Sequence, residues 1–378
     1  MLVYGVVSPH PPIILPEVGG DELKRVRSTI RALEAADAKL AEAKPQELII
    51  ISPHEDHGFE VPEYYLSKHL PGSIHIQEIL VTGESYRYYY NYGREVGQQL
   101  RYDMRRYAIV ASGDLSHVLR PEGPYGFNPA GPQLDELIVE AMRTGDAEAL
   151  LSINAEVLQE GAECGLRSVL FLLGAFAGMR AETKVESYEG PFGVGYMVAT
   201  VAPHNAGKLT IAEVARDAVQ YGLETGELLS LPGKLPPSWR ERAGAFVSLH
   251  EPNGTLRGCI GTIAPTKETL AEEVVSNAVA AATQDPRFEP VTPGELDGLA
   301  VSVDVLSKPV LVRGKAKLDP KKYGVIVSTK DGREGVLLPD LPGVDTHAKQ
   351  LEICREKAGI GLDERVQVRR FTVRRYQL

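Results

Sequence analysis

Three histidines stand at the ends of short apolar runs: His10 in Ser8-Pro9-His10-Pro11-Pro12, His54 in Ser52-Pro53-His54, and His117 in Ser112-Gly113-Asp114-Leu115-Ser116-His117. Neutral imidazole with a carboxylate is the usual ligand set for Fe(II), Zn(II) or Mn(II). Proline before His10 and before His54 holds the backbone extended where it leaves each run, so those rings are aimed rather than carried on loose loops. One strand-end histidine is most often an ordinary hydrogen-bonded loop residue. Three at equivalent places, two of them in the same tripeptide, point to a shared site. The acid that would complete it is sought downstream. Glu163, in Ala162-Glu163-Cys164-Gly165-Leu166-Arg167-Ser168, opens a strongly apolar helix. A helix dipole favours a carboxylate there, and a plain capping charge would look the same. Asp56, His57 and Asp114 compete as ligands near the same edge.

The elements that must carry these residues are an α/β alternation. Strands are predicted over 2–7, 48–51, 75–81 and 106–111, with a closing pair over 183–188 and 193–201. Helical periodicity covers 23–40, 132–143, 146–160 and 165–179. The expected fold is a mostly parallel central sheet flanked by helices, in which ligands bind beyond the carboxyl ends of the strands. Side-by-side strands would then gather the three imidazoles at one edge.

A chain of 378 residues usually makes two domains. The pattern breaks into linker chemistry at Ala202-Pro203-His204-Asn205-Ala206-Gly207, giving a first domain over 1–202, a linker over 203–208 and a second α/β (α+β) domain over 209–378. The second domain reads as a helix over 209–224, strands over 245–250 and 256–261 joined by the turn Glu251-Pro252-Asn253-Gly254, a helix over 266–283 and a strand over 299–306. A hairpin at Lys330-Asp331-Gly332, a helix over 345–357 and a strand over 366–373 follow. A four-residue loop at 251–254 pairs His250 with Thr255, Ser248 with Arg257 and Phe246 with Cys259. Ser248, His250, Arg257 and Cys259 then share the polar face. Arg257 and Cys259 form a second candidate site, in which the cation would lower the thiol pKa. A small half-buried strand residue is the commoner meaning of such a cysteine.

Composition narrows the function. The 41 Lys+Arg against 51 Asp+Glu give a net charge of −10, which excludes a dedicated binder of nucleic acid or anionic membrane. No run approaches the ~18 apolar residues of a membrane span, and the first residues lack the basic start of a signal peptide. Three cysteines make no closed disulfide set, so a reducing, cytoplasmic setting is expected.

The three histidine motifs together resemble the class III extradiol dioxygenase (LigB-like) and Memo superfamily, over roughly residues 1–200. That resemblance implies a two-histidine, one-carboxylate Fe(II) site with His10 and His54 as metal ligands. His117 matches the family's acid/base histidine, which moves protons during ring opening; Glu163 is the candidate for the carboxylate, and Asp114 joins His117 as a candidate catalytic group. Zn, Cu or Mn are alternative ions, and the implied substrates are a catechol-type small aromatic and O2. The Memo branch has a cysteine at the third position, and Cys164 lies in a stretch that looks like that branch's. Adjacent residues do not both ligate one ion easily, and a cysteine ligand implies a softer metal or no dioxygenase activity. The second half resembles the AMMECR domain through Leu256-Arg257-Gly258-Cys259-Ile260-Gly261, Asp285-Pro286-Arg287-Phe288, Val301-Ser302-Val303-Asp304-Val305-Leu306 and Gly332-Arg333-Glu334-Gly335. Memo-like and AMMECR domains accompany a radical SAM protein, which is therefore the implied partner. A metal-binding accessory protein without turnover, and Zn-assisted hydrolysis with His117 as base, are the competing functions. A homo-oligomer is compatible with any of them.

Overall fold

The computed structural model describes residues 1–204, 209–231, 235–313 and 318–378, in two compact units, Met1–Leu209 and Thr210–Leu378. Of the expected linker, residues 205–208 lie outside the described residues.

The first unit runs β1 (Leu2–Ser8), α1 (Pro16–Gly19), α2 (Arg27–Glu42), β2 (Glu47–Ser52), α3 (His57–Leu66), β3 (His75–Leu80), α4 (Tyr86–Arg101) and β4 (Tyr107–Ser112). It continues through α5 (Ala130–Thr144), α6 (Ala147–Leu151), α7 (Ala155–Gly161), α8 (Leu166–Ala175), β5 (Ala181–Glu189) and β6 (Tyr196–Pro203). The sheet order is β3-β2-β4-β1-β6-β5. The first four strands are parallel, and β6 and β5 close the sheet antiparallel. Ile51 aligns with Ala111 and Ser8 with Ser112. The strand ends that lead to His54, His117 and His10 are therefore neighbours.

The runs 48–51 and 107–112 are buried throughout because helices cover both faces of the sheet. Ile49, Ile51, Ile109 and Ala111 pack with the apolar faces of α5 and α8. Leu48, Ile50, Ala108 and Val110 pack with α2 and α3. Each Ile, Leu or Val side chain among them contributes ~1.5–3 kcal/mol by leaving water. Helix α8 is buried along almost its whole length and lies against α4. The approach is backbone on backbone: a Cβ on Gly93 would sit 2.1 Å from the Phe171 carbonyl oxygen, and one on Gly97 2.2 Å from that of Ala175. The expected helix over 146–160 is two, α6 and α7, because Asn154 caps a new start.

The second unit runs α9 (Ile211–Thr225), α10 (Pro237–Arg240), β7 (Ala245–His250), β8 (Leu256–Gly261), α11 (Leu270–Thr283), β9 (Ala300–Leu306) and β10 (Val310–Leu311). Then come β11 (Gly324–Ser328), β12 (Glu334–Leu337), α12 (His347–Lys357), β13 (Gln367–Phe371) and β14 (Val373–Gln377). Its strands form two four-stranded sheets, β10-β13-β11-β12 and β14-β9-β7-β8, with antiparallel pairing. Capping boxes at Thr210/Glu213 and Thr269/Glu272 fix where α9 and α11 begin. The strand expected over 366–373 is interrupted at Thr372 and serves both sheets.

The β7–β8 register differs from expectation by two residues. Ser248 faces Cys259 and Phe246 faces Gly261, while a bulge at Leu249/His250 sets His250 opposite Leu256. The extra residue of the bulge and a wider turn account for the shift. No helix among the described residues is long and apolar enough to cross a membrane.

Candidate metal centre

The loop 112–117 organises the centre. His10 is almost wholly buried. Its Nδ1 lies 3.0 Å from Ser112 Oγ, and the Ser112 hydroxyl itself donates to the Gly58 carbonyl. Ser112 Oγ thus has only a lone pair to offer, so His10 carries its proton on Nδ1 and leaves Nε2 free. The His10 amide donates to Asp114 Oδ1 at 3.2 Å, and Asp114 Oδ2 stands 3.9 Å from His10 Nε2.

Cys164 arrives from the loop between α7 and α8. Its Sγ accepts from the Asp114 amide at 3.3 Å, and the amides of Cys164 and Gly165 both donate to the Asp114 carbonyl. Two glycines permit this contact: a Cβ on Gly113 would sit 2.2 Å from Gly165 Cα, and one on Gly165 2.9 Å from the Asp114 carbonyl oxygen. One donor atom each from His10, His54 and Cys164 lie within 4.8 Å of one another. Cys164 Sγ is 3.6 Å from His10 Nε2. An ion about 2.3 Å from sulfur and about 2.0–2.1 Å from nitrogen holds those atoms about 3.6 Å apart at a tetrahedral angle, and about 3.1 Å apart at a right angle. The residues present therefore fit a metal ion of tetrahedral habit.

Glu163, expected as the third ligand, is placed otherwise. Its carboxylate accepts from Tyr86 Oη at 2.9 Å and from the Leu166 amide, closing the first turn of α8. Consecutive residues in this loop point apart, so the chain can offer the cluster Cys164 or Glu163, and it offers Cys164. His117 is next to the centre but not in the cluster. Its Nδ1 bonds the Ala162 carbonyl, an acceptor only, so Nδ1 carries the proton and Nε2 keeps its lone pair. Ala162 holds that carbonyl in place from a left-handed conformation, φ 46°. Tyr125 meets the His117 ring edge-on at 5.3 Å.

Burial sets the charges. His10 is pushed down to about 3 by burial and by the neighbouring imidazoles of His54, His57 and His117, so it stays neutral and able to ligate. His54 is lowered for the same reasons. The Cys164 thiol is pushed well up by burial and by Asp114, and would ionise by metal binding. Burial raises Asp114 to about 7 and Glu163 above the ordinary range.

Several supporting residues lay outside sequence reasoning. Ser112 fixes the His10 tautomer, Tyr86 holds Glu163, and Asp135 accepts from the Ser116 amide at 2.7 Å and from Tyr188 Oη at 2.6 Å. An acid within the apolar stripe Leu134, Ile138, Met142 was a readable sign that Asp135 is buried for a purpose. Tyr86 gave none.

In the second unit Arg257 and Cys259 do different jobs. The Arg257 guanidinium braces the 289–295 segment through Glu295 Oε1 at 3.2 Å and the carbonyls of Glu289 and Pro290. Cys259 faces Ser248, whose hydroxyl donates to its Sγ at 3.2 Å. Asp285 accepts from the Cys259 amide and grips Arg287 with both oxygens.

The α/β sheet, with imidazoles at adjoining strand ends and a thiol from the loop before α8, has the fold of a ring-opening dioxygenase domain. Residues 55–199 match the family model described as the catalytic LigB subunit of aromatic ring-opening dioxygenase, and residues 212–377 match AMMECR1. The first match contains Asp114, His117 and Cys164 and begins just after His54. Protein CA_C1420 of Clostridium acetobutylicum is 33% identical over 461 aligned residues, covering 98% of each chain. The chain belongs to this family, in which a LigB-type domain precedes an AMMECR1 domain. A Thermotoga maritima protein is 54% identical over 165 residues, 43% of this chain and 92% of that protein. The crystal structure of PH0010 from Pyrococcus horikoshii is 34% identical and covers 44% of this chain and 89% of its own, with a TM-score of 0.41.

Proposed function

We propose that the first unit is a metal-dependent oxidoreductase of the extradiol ring-opening type, acting on a small aromatic diol and O2. What supports this most is a LigB-type domain that gathers the imidazole donors of His10 and His54 close to His117. Fe(II) is the ion proposed, with Zn, Cu or Mn as alternatives. When bound, it would supply a Lewis acid for the diol oxygens and a path for electrons to O2.

The chain's own groups do the remaining work. Ser112 and Gly58 keep His10 Nε2 free for the ion. His117 Nε2, its partner nitrogen committed to Ala162, takes the proton of a substrate hydroxyl and later returns it. Asp114 steadies the His10 backbone and, raised to about 7, holds a proton of its own near neutrality.

Anaerobic Fe(II) loading tests the ligand set. Wild type and Glu163→Gln are expected to hold one ion per chain, and His10→Ala and Cys164→Ser to lose it. Retention by Cys164→Ser with loss in Glu163→Gln would return the third ligand to Glu163. Absence of O2 uptake by the loaded protein across a panel of catechols would remove the oxygenase reading. One observation favours a second reading: a thiolate donor suits Zn(II) or Cu(I). Such an ion without O2 uptake would mark an accessory protein serving a partner, for which a radical SAM protein is the proposed class.

A further inference from the structure

His57 is outside the cluster of donor atoms, yet its ring stands beside both imidazoles in it. Its centroid lies 5.4 Å from that of His10 and 5.4 Å from that of His54, and those two are 5.2 Å apart. The three rings mark a nearly equilateral triangle. An ion about 2.0–2.1 Å from a ring nitrogen lies about 3.2 Å from the ring centre, and tetrahedral angles set such centres about 5.2 Å apart. The triangle is thus of a size that one tetrahedral ion can span once the His57 ring turns a nitrogen toward the other donors. Cys164 Sγ, 3.6 Å from His10 Nε2 and grouped with the His10 and His54 donors, supplies the remaining donor.

Local structure adds to this. Asp56 takes a left-handed φ of 47° and turns the chain between His54 and His57, whose rings stack with 28° between their planes. The His57 ring makes no hydrogen bond among the described residues, so no hydrogen bond holds its nitrogens in their present direction. Asp114, the rival for a fourth place, has Oδ1 engaged by the His10 amide and Oδ2 3.9 Å from His10 Nε2, and it is not grouped with the three donors.

We infer that His57 is the fourth protein ligand of the resting centre, which is a closed tetrahedral site of three imidazoles and one thiolate. The inference rests on the reading of His10, His54 and Cys164 as metal ligands. It also says how the centre opens: a diol reaches the ion by displacing His57, the ligand that must turn its ring to bind.

The test is X-ray absorption at the zinc edge of the full chain loaded with Zn(II). Wild type is expected to show one sulfur and three imidazoles. His57→Ala is expected to show one sulfur, two imidazoles and a light oxygen, with Zn(II) held at least about tenfold more weakly. His57→Cys should show two sulfurs, a gain that impaired folding cannot imitate. One sulfur with two imidazoles in wild type overturns the inference and leaves the underlying reading standing. No retained zinc, or no sulfur, overturns both.

Discussion

Gly113→Ala places the centre's geometry under direct load. The new Cβ would lie 2.2 Å from Gly165 Cα, where ordinary contacts begin near 3.4 Å, so the two backbones must part by about 1.2 Å. Metal–ligand distances tolerate only about ±0.2 Å. Cys164 immediately precedes Gly165 and moves with it, out of reach of an ion held by His10 and His54. Loss of the thiolate arm is expected to weaken Zn(II) at least about 100-fold, or about 2.7 kcal/mol. Overpacking separately costs the apo protein ~1–3 kcal/mol, and each kcal/mol lowers Tm by about 2–4 °C in a unit of this size. Competition titration against a chromophoric chelator measures the first effect, and melting with and without EDTA the second. A lowered Tm with unchanged affinity would refute the reasoning, because the loops would have parted without moving the ligand. Unchanged values of both would mean the close approach is not there.

Three further outcomes are expected. Ser112→Ala strands the His10 Nδ1 proton in a buried site and frees the other tautomer, so metal affinity should fall about 10–100-fold, measured by the same titration. Asp135 is raised to about 7 by burial and, secondarily, by Glu163. It holds its proton more tightly folded than unfolded, so its contribution to stability is full below about pH 4 and is lost as pH rises to about 7. Asp135→Asn should flatten that part of the urea-midpoint profile, and an unaltered slope would contradict it. Asp285 has the opposite sign: the Arg287 guanidinium and the Cys259 amide hold its carboxyl well below the usual range. Its contribution is present above about pH 4 and disappears as pH falls further, so Asp285→Asn should make the second unit's acid melting less steep.

The strands and the strand-end histidines were legible because period-2 and continuous apolar runs are strong signals, and proline marks their exits. Helices α3 and α4 were not. Pro62 stands inside α3, and the buried face of α4 is Tyr89, Gly93 and Gly97, a stripe whose function is close approach rather than hydrophobicity. Glu163 and Cys164 could not be separated in sequence, since adjacent residues of a loop differ only in which way the backbone turns them. The β7–β8 register failed by two residues, one from the bulge and one from a longer turn, and a shift of two leaves the alternation unchanged and so undetectable from it. At the second candidate site the cation beside the Cys259 peptide is Arg287, 28 positions away in the chain, a pairing that only the fold creates.

The glycine contacts between α4 and α8 give the centre one stiff wall. Backbone rests on backbone at Gly93 and Gly97, the Tyr92 and Phe171 rings interlock beside them, and the Cys164 loop leads into the amino end of this tightly packed helix. The opposite wall, Pro53 to His57, is largely open to solvent and carries the strained Asp56. A molecule entering this centre would be met by a closely packed wall on one side and by a solvent-exposed one on the other.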